Sequence, residues 1–290
     1  LGKVDAYTVA SGFTLTALAS QVNGLTVVAA GTGNIAVTAL HATPAANLSG
    51  LSSASGTVTA AFDATGTFTG NLGTAVVTVA DGAVMTAAAI DVAGKTINKI
   101  NSGALTVTVR TADANVDLTS IAGDAINSVT VKEDLTFTGT LDETVSTSID
   151  TSVTLTIAAS KVSGKAVTGT GSLIIEALAA DTDLANVNPG GGVTARVGAD
   201  LDITDNAFLG DVDIYEVSSG FTLRATGAQL NGKTVLGDGS LIVERLAAGT
   251  DLTNVNLGGG VTALVTDNII ITGNGKLAVV DTYTVSTNRT

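Results

Sequence analysis

Five aspartates crowd a short stretch of the 290-residue chain: Asp200, Asp202, Asp205, Asp211 and Asp213. Asp200 and Asp202 stand two apart, so on an extended strand both carboxylates leave the same side. Paired carboxylates of this kind perform general acid–base work in sugar-cleaving enzymes. Set among glycines and backbone carbonyls, the same five residues also suit a hard cation, and they are the candidate calcium ligands. The neighbouring repeat argues against catalysis. It replaces Asp200, Asp202, Asp205 and Asp211 with Asn268, Ile270, Gly273 and Val279. There is no Trp, although sugar clefts usually carry aromatic platforms. A solvated acidic face that discourages edge-to-edge pairing is the plainer reading.

Other chemistry is thinner still. The chain has no Cys and one His, His41, which excludes zinc and copper sites of the usual kinds. Any Ser-His-Asp triad would have to use His41, and no Gly-x-Ser-x-Gly elbow is present; His41 reads as an incidental loop residue. The segments Leu236–Leu241 and Ile271–Leu277 approach a calcium-binding nonapeptide but lack its doubled Gly and its Asp. The runs Gly190–Gly192 and Gly258–Gly260 lack the Lys-Ser/Thr of a phosphate loop, so they read as turns or close stacking. Thr-x-Thr triplets at 106–108, 136–138 and 282–284 do not recur at one phase of the repeat, which implies no continuous threonine ladder. The three tyrosines, Tyr7, Tyr215 and Tyr283, all sit in Asp-x-Tyr-x-Val and read as half-buried strand residues. No catalytic residue and no cofactor is assigned.

The elements that would position these residues come from a repeat. Residues 149–216 and 217–284 align without a gap, with 34 of 68 positions identical. Weaker matches extend it to copies at 9–78, 79–148, 149–216 and 217–284, with 285–290 beginning another. The whole of 1–290 is therefore one array, in which each copy is expected to present the same faces to its neighbours. The segment Leu277–Val285 resembles Leu1–Val9, so the chain starts and stops at nearly the same phase with no atypical capping copy. Either it is a piece of a longer protein, or its ends stack on other copies.

Val, Ile, Leu, Thr, Ala and Gly dominate, with 34 Gly and only 2 Pro. Alternating segments such as Leu241–Glu244, Thr106–Arg110 and Thr154–Ile157 predict strands. Thr226–Leu230, just before Asn231-Gly232, predicts a single helical turn at a corner. The fold class is all-β: a parallel β-solenoid, with tandem small β-sandwiches as the alternative. Copies of 68–70 residues are small for a sandwich domain, and small β-branched side chains suit a thin solenoid interior. A coil of about 22 residues is expected, with Asn186, Asn188, Asn254 and Asn256 as candidates for stacked side-chain ladders.

A net charge of −13 with 13 Lys+Arg leaves no basic patch, so neither nucleic acid nor an anionic membrane surface is an expected partner. No stretch is apolar enough over its length to span a bilayer, and no signal peptide is visible. The Gln229–Val235 segment, the Gly-x-Gly-x-Leu-x-Val turns and the Ala/Thr/Gly/Val bias resemble bacterial cell-surface and extracellular β-solenoid proteins of fibre, adhesin or S-layer type. That resemblance implies an extracellular or cell-surface location. It also implies a structural, non-catalytic rod or fibre that partners with copies of itself, head to tail. The alternatives are a stalk or lattice segment of an adhesin or S-layer protein, assisted by calcium, and, with less support, a carbohydrate-active β-helix enzyme. Glycan binding is not expected.

Overall fold

A computed structural model describes residues 6–122, 126–141, 145–266, 269–270 and 274–285. Residues 1–5, Asn268, Ile271, Thr272, Gly273 and 286–290, named above, lie outside the described residues. The fold is all-β, a parallel solenoid. Among the described residues every strand pair of the two units is parallel. That overturns the sandwich alternative, whose packed sheets are built from antiparallel strands.

The chain divides into two compact units, Leu1–Glu133 with Thr138–Ser148, and Asp134–Phe137 with Ile149–Thr290. In the first, Ala6–Val9, Thr26–Ala29 and Leu51–Ser53 form one sheet. Thr14–Leu18, Asn34–Thr38, Val58–Phe62, Val76–Val79 and Ile97–Lys99 form a second. Gly66–Phe68, Val84–Ala88, Ala104–Val109 and Ile126–Val131 pair successively in a third. In the second unit one sheet holds Leu135–Phe137, Thr154–Ala158, Ser172–Glu176, Val193–Val197, Val212–Val217, Thr234–Gly237 and Val255–Leu257. The other holds Leu201–Asp202, Thr222–Thr226, Ser240–Glu244, Val261–Val265 and Thr282–Val285.

Alternation decides which side chains enter the core. Ile35 and Val37 point in while Asn34, Ala36 and Thr38 stay half-exposed. Stacking then builds inner columns such as Ala17, Val37, Ala60, Val77 and Ile97, all buried. In the second unit Ile157, Ile175, Ala195, Tyr215 and Val235 make another. The small Ala195 leaves room for the Tyr215 ring above it, which keeps packing dense without strain.

Paired residues on adjacent coils are 17 apart (Thr59 with Val76) to 26 apart (Thr96 with Ala122), and most often 20. The coil is thus slightly shorter than expected, and it does not divide the 68–70-residue copy. Three coils of 20 leave 8–10 residues over. That remainder is the step from one strand to the next within a coil, from Ala6 to Thr14 or from Val212 to Thr222. Each copy therefore moves on by one sheet. Ala6–Val9 lies in the three-stranded sheet, but its counterpart Val76–Val79 lies in the sheet begun by Thr14–Leu18. Thr154–Ala158 and its counterpart Thr222–Thr226 likewise lie in different sheets. The expectation that copies present the same faces is corrected here: side chains stack at the coil period.

Two further expectations fall for this reason. Asn256 stacks beside Leu236, not beside another Asn. The Asn stack forms instead at 24-residue steps, where Asn23 Oδ1 accepts the Asn47 N–H at 2.8 Å and Asn47 bridges Asn71. A hydroxyl column does exist, with Thr67, Thr86, Thr106 and Ser128 in register across four strands.

The corner turns recur as drawn from the sequence. Four-residue helices occupy Ala19–Val22, Ala89–Val92, Ala159–Val162 and Gly227–Leu230. The repeated Gln and Asn have distinct tasks there. Gln229 Oε1 accepts the Thr226 N–H at 2.8 Å, as Gln21 Oε1 accepts that of Leu18 at 3.0 Å, which satisfies a free donor at the helix start. Asn231 Oδ1 takes the Asp251 N–H of the next coil at 2.8 Å.

Candidate functional site

The acidic segment sits on the corners and edges of the second unit, and its carboxylates are mostly engaged. Asp200 Oδ1 accepts the Thr222 N–H, one coil on, at 2.8 Å. Asp202 Oδ1 accepts from the Thr204 N–H at 3.0 Å and its hydroxyl at 2.7 Å. Asp213 Oδ2 accepts the Val193 N–H at 2.9 Å, one coil back. Its counterpart Asp281 does the same for Val261 at 2.8 Å. Asp205 lies 3.5 Å from the Arg245 guanidinium and is almost fully exposed. Asp211 is exposed, with no partner among the described residues.

Asp200 and Asp202 do share a groove of about 300 Å³, with Leu201, Thr222, Arg224 and Ile242. The Thr204 hydroxyl, then its N–H, hold the Asp202 carboxyl below its ordinary range. Such a group is an ionised acceptor, whereas a general acid must keep its proton near neutrality. Among the described residues no three His, Cys, Asp or Glu side chains converge on a metal-sized site. Three of the five aspartates, Asp200, Asp202 and Asp213, thus act as acceptors for backbone N–H groups.

Two charge ladders run across coils beside this segment. Arg196 Nη1 donates to Glu176 Oε1 at 2.6 Å, and its Nε to Glu216 Oε2 at 2.9 Å. Strand register puts Arg196 directly beside Glu216. A second ladder sets Arg224 between Asp202 Oδ2, at 3.8 Å, and the Glu244 carboxylate, which accepts from its Nη1. Both flanking glutamates raise the Arg196 pKa further, first through their hydrogen bonds. These ladders escaped the sequence reading. Their signal is the 20-residue step Glu176, Arg196, Glu216, which the next copy hides by carrying Leu264 and Thr284 in place of Arg196 and Glu216.

Arg196→Met keeps the aliphatic stem and leaves Glu176 and Glu216 facing each other's field. Members of this ladder are about 40% exposed, so solvent screens them. The expected loss is about 1–2 kcal/mol at low salt, shrinking in high salt. Urea unfolding at two salt concentrations checks it; a salt-independent loss would mean lost packing instead.

The glycine runs prove to be stacked backbone. Gly190 and Gly191 N–H groups donate to the Gly169 and Gly171 carbonyls at 2.8 and 3.0 Å. Gly258 and Gly259 repeat this on Gly237 and Gly239 at 2.9 and 3.0 Å. His41 is more than incidental: its Nδ1 lies 2.5 Å from Asp63 Oδ1, and its ring meets the Phe62 edge at 6.4 Å. The tyrosines differ. Tyr215 is buried, Tyr7 is half-buried, and Tyr283 is exposed with its hydroxyl 3.4 Å from the Leu277 carbonyl.

Among the described residues no helix is long and apolar enough to cross a membrane. Comparison with protein-family models, with curated proteins and with solved structures finds no match to this chain.

Proposed function

We propose that this chain is a structural, non-catalytic solenoid of the bacterial cell surface or extracellular space, which forms a rod and joins copies of itself head to tail. The observation that carries this reading is the use made of the polar residues. Asp200, Asp213, Asp281, Arg196 and Arg224 bind across coils, and the groove that Asp200 and Arg224 line is an open one. The chemistry-bearing side chains serve stacking. Among the described residues the strand Thr282–Val285 pairs with Val261–Val265 on one side, and its four residues are exposed. Strand pairing at such an edge is the contact by which copies would join, and a heterologous contact that does not close gives a filament.

Light scattering over a wide concentration range is expected to show association that grows with concentration. Placing lysines at the edge, as Tyr283→Lys with Val285→Lys, is expected to weaken it at least about tenfold. A chain that stays monomeric throughout overturns the self-assembly. A calcium chelator is expected to change nothing, because Asp200, Asp202 and Asp213 are already bonded within the chain and, among the described residues, no three acidic side chains converge on a metal-sized site. Chelator-sensitive assembly would favour the calcium-assisted lattice or stalk reading.

A further inference from the structure

The second unit contains a cleft of about 320 Å³ that shares no lining residue with the Asp200–Arg224 groove. Its walls include Asn206, Leu209, Val212, Tyr215, Gln229 and Lys233. Tyr215 is 1% exposed, and its hydroxyl makes no hydrogen bond among the described residues. Yet no fully enclosed side-chain N or O atom of those residues lacks a partner. The small accessible remainder of Tyr215 is therefore its hydroxyl, which opens into the cleft that the residue lines. A hydroxyl that faces a cleft with no acceptor from the chain is free to donate to an occupant that accepts.

Lys233 stands at the same cleft and makes no hydrogen bond or ion pair among the described residues. Its counterpart Lys95 is satisfied, donating from Nζ to the Gly73 carbonyl at 2.7 Å. The two amides of the wall are committed. Gln229 Nε2 donates to the Ile203 and Asn206 carbonyls at 2.6 and 2.9 Å, and its Oε1 accepts from Thr226. Asn206 Nδ2 donates to the Ala180 and Thr182 carbonyls, each at 2.9 Å, and its Oδ1 accepts the Phe208 N–H at 2.7 Å. What remains open is one phenol proton and one ammonium, both donors, beside apolar walls. Burial pushes the phenol pKa up, so it keeps the proton it would donate.

We propose that this cleft binds a carboxylate on a small apolar body, with Tyr215 Oη and Lys233 Nζ as its two donors. A carboxylate's two oxygens accept from both at once. The volume is at the small end for ligand sites and admits a single ring. The carboxylate comes from a free acid or from an Asp or Glu of another copy of this chain; the chemistry is the same.

The test labels the tyrosine ring ζ-carbon for NMR; with three tyrosines in the chain, Tyr215→Phe identifies its signal. Benzoate is titrated to about 100 mM at constant ionic strength, with benzamide as the neutral control. A saturable shift of the Tyr215 signal alone is expected, absent with benzamide, and weakened at least about tenfold by Lys233→Met. A Tyr215 shift that instead appears on concentrating the ligand-free protein, and is reversed by acetate, assigns the carboxylate to another copy. No shift, or an equal shift with benzamide, overturns the proposal. Tyr215→Phe and Lys233→Met each keep the packed part of the side chain, so a change in their tyrosine-independent amide spectra would expose a folding defect.

Discussion

Gly237→Ala is expected to destabilise the second unit by about 2–6 kcal/mol, one of the two largest losses for any single substitution considered. Two costs add. Gly237 has φ +117°, a region closed to residues with a Cβ, and forcing Ala there costs about 1–3 kcal/mol. A Cβ at this position would also collide with the backbone carbonyl of Val217 on the coil below, which neither side can relieve cheaply. Overpacking of that kind costs a further 1–3 kcal/mol or so. The damage spreads along the stack, because the Gly237 carbonyl receives the Gly258 N–H at 2.9 Å. In a solenoid each coil meets only its neighbours, so hydrogen exchange should lose protection most strongly around 217, 237 and 258. Gly198→Ala is the control. Its added Cβ meets open space at an ordinary backbone angle, and the expected change is within about 0.5 kcal/mol. Urea unfolding of both variants decides: a Gly237→Ala as mild as the control would sink the stacking argument.

The same position shows how much was legible beforehand. Alternation in Thr154–Ala158 and Ser240–Glu244, the Gly-x-Gly punctuation and the corner turn before Asn231-Gly232 all follow from local propensity, and all appear where expected. The fold class followed from them. What stayed hidden depends on a partner one coil away. The conspicuous period of the sequence is 68–70 residues, yet the physical period is about 20. The neighbours of a side chain are therefore set by the coil and not by the long repeat. Thr86 and Thr106 look unrelated within the long repeat, but they stack. Asp213 looked like a ligand, but the donor it serves, Val193, is recognisable only once the coil length is known. The three Asp-x-Tyr-x-Val motifs are equivalent in sequence, whereas burial depends on what lies above and below. Tyr215 is flanked by Ala195 and Val235 and is enclosed, while Tyr283, among the described residues, is paired with Ala263 on one side and stays exposed. His41 was read as incidental because nothing in its immediate sequence marks Asp63, 22 residues on, as its partner.

That pairing bears on the other large effect, Phe62→Ala, expected to cost about 3–5 kcal/mol in the first unit. Phe62 closes the strand Val58–Phe62, sits beside Val79 on the next coil and is fully buried. The chain has six Phe and no Trp, so a thin core of Ala and Val depends on a few large side chains for its apolar area. Ala60 and Ala17, in the neighbouring column, have no length with which to fill a void, and the strands are held by hydrogen bonds to the coils on either side. The cavity would therefore persist, which is the condition for the upper part of the range. Losing the ring also removes the T-shaped aromatic neighbour of His41, whose Nδ1 pairs with Asp63. Phe62→Leu should recover most of the loss, leaving about 1 kcal/mol, because volume is nearly kept. Hydrogen exchange followed by mass spectrometry tests the argument. Protection is expected to fall across Asn34–Thr38, Val58–Phe62 and Val76–Val79, while Ser172–Glu176 and Ser240–Glu244 in the second unit keep theirs. A uniform fall in both units would show that the chain unfolds as one cooperative block, and a negligible fall would show that the core around Phe62 can collapse.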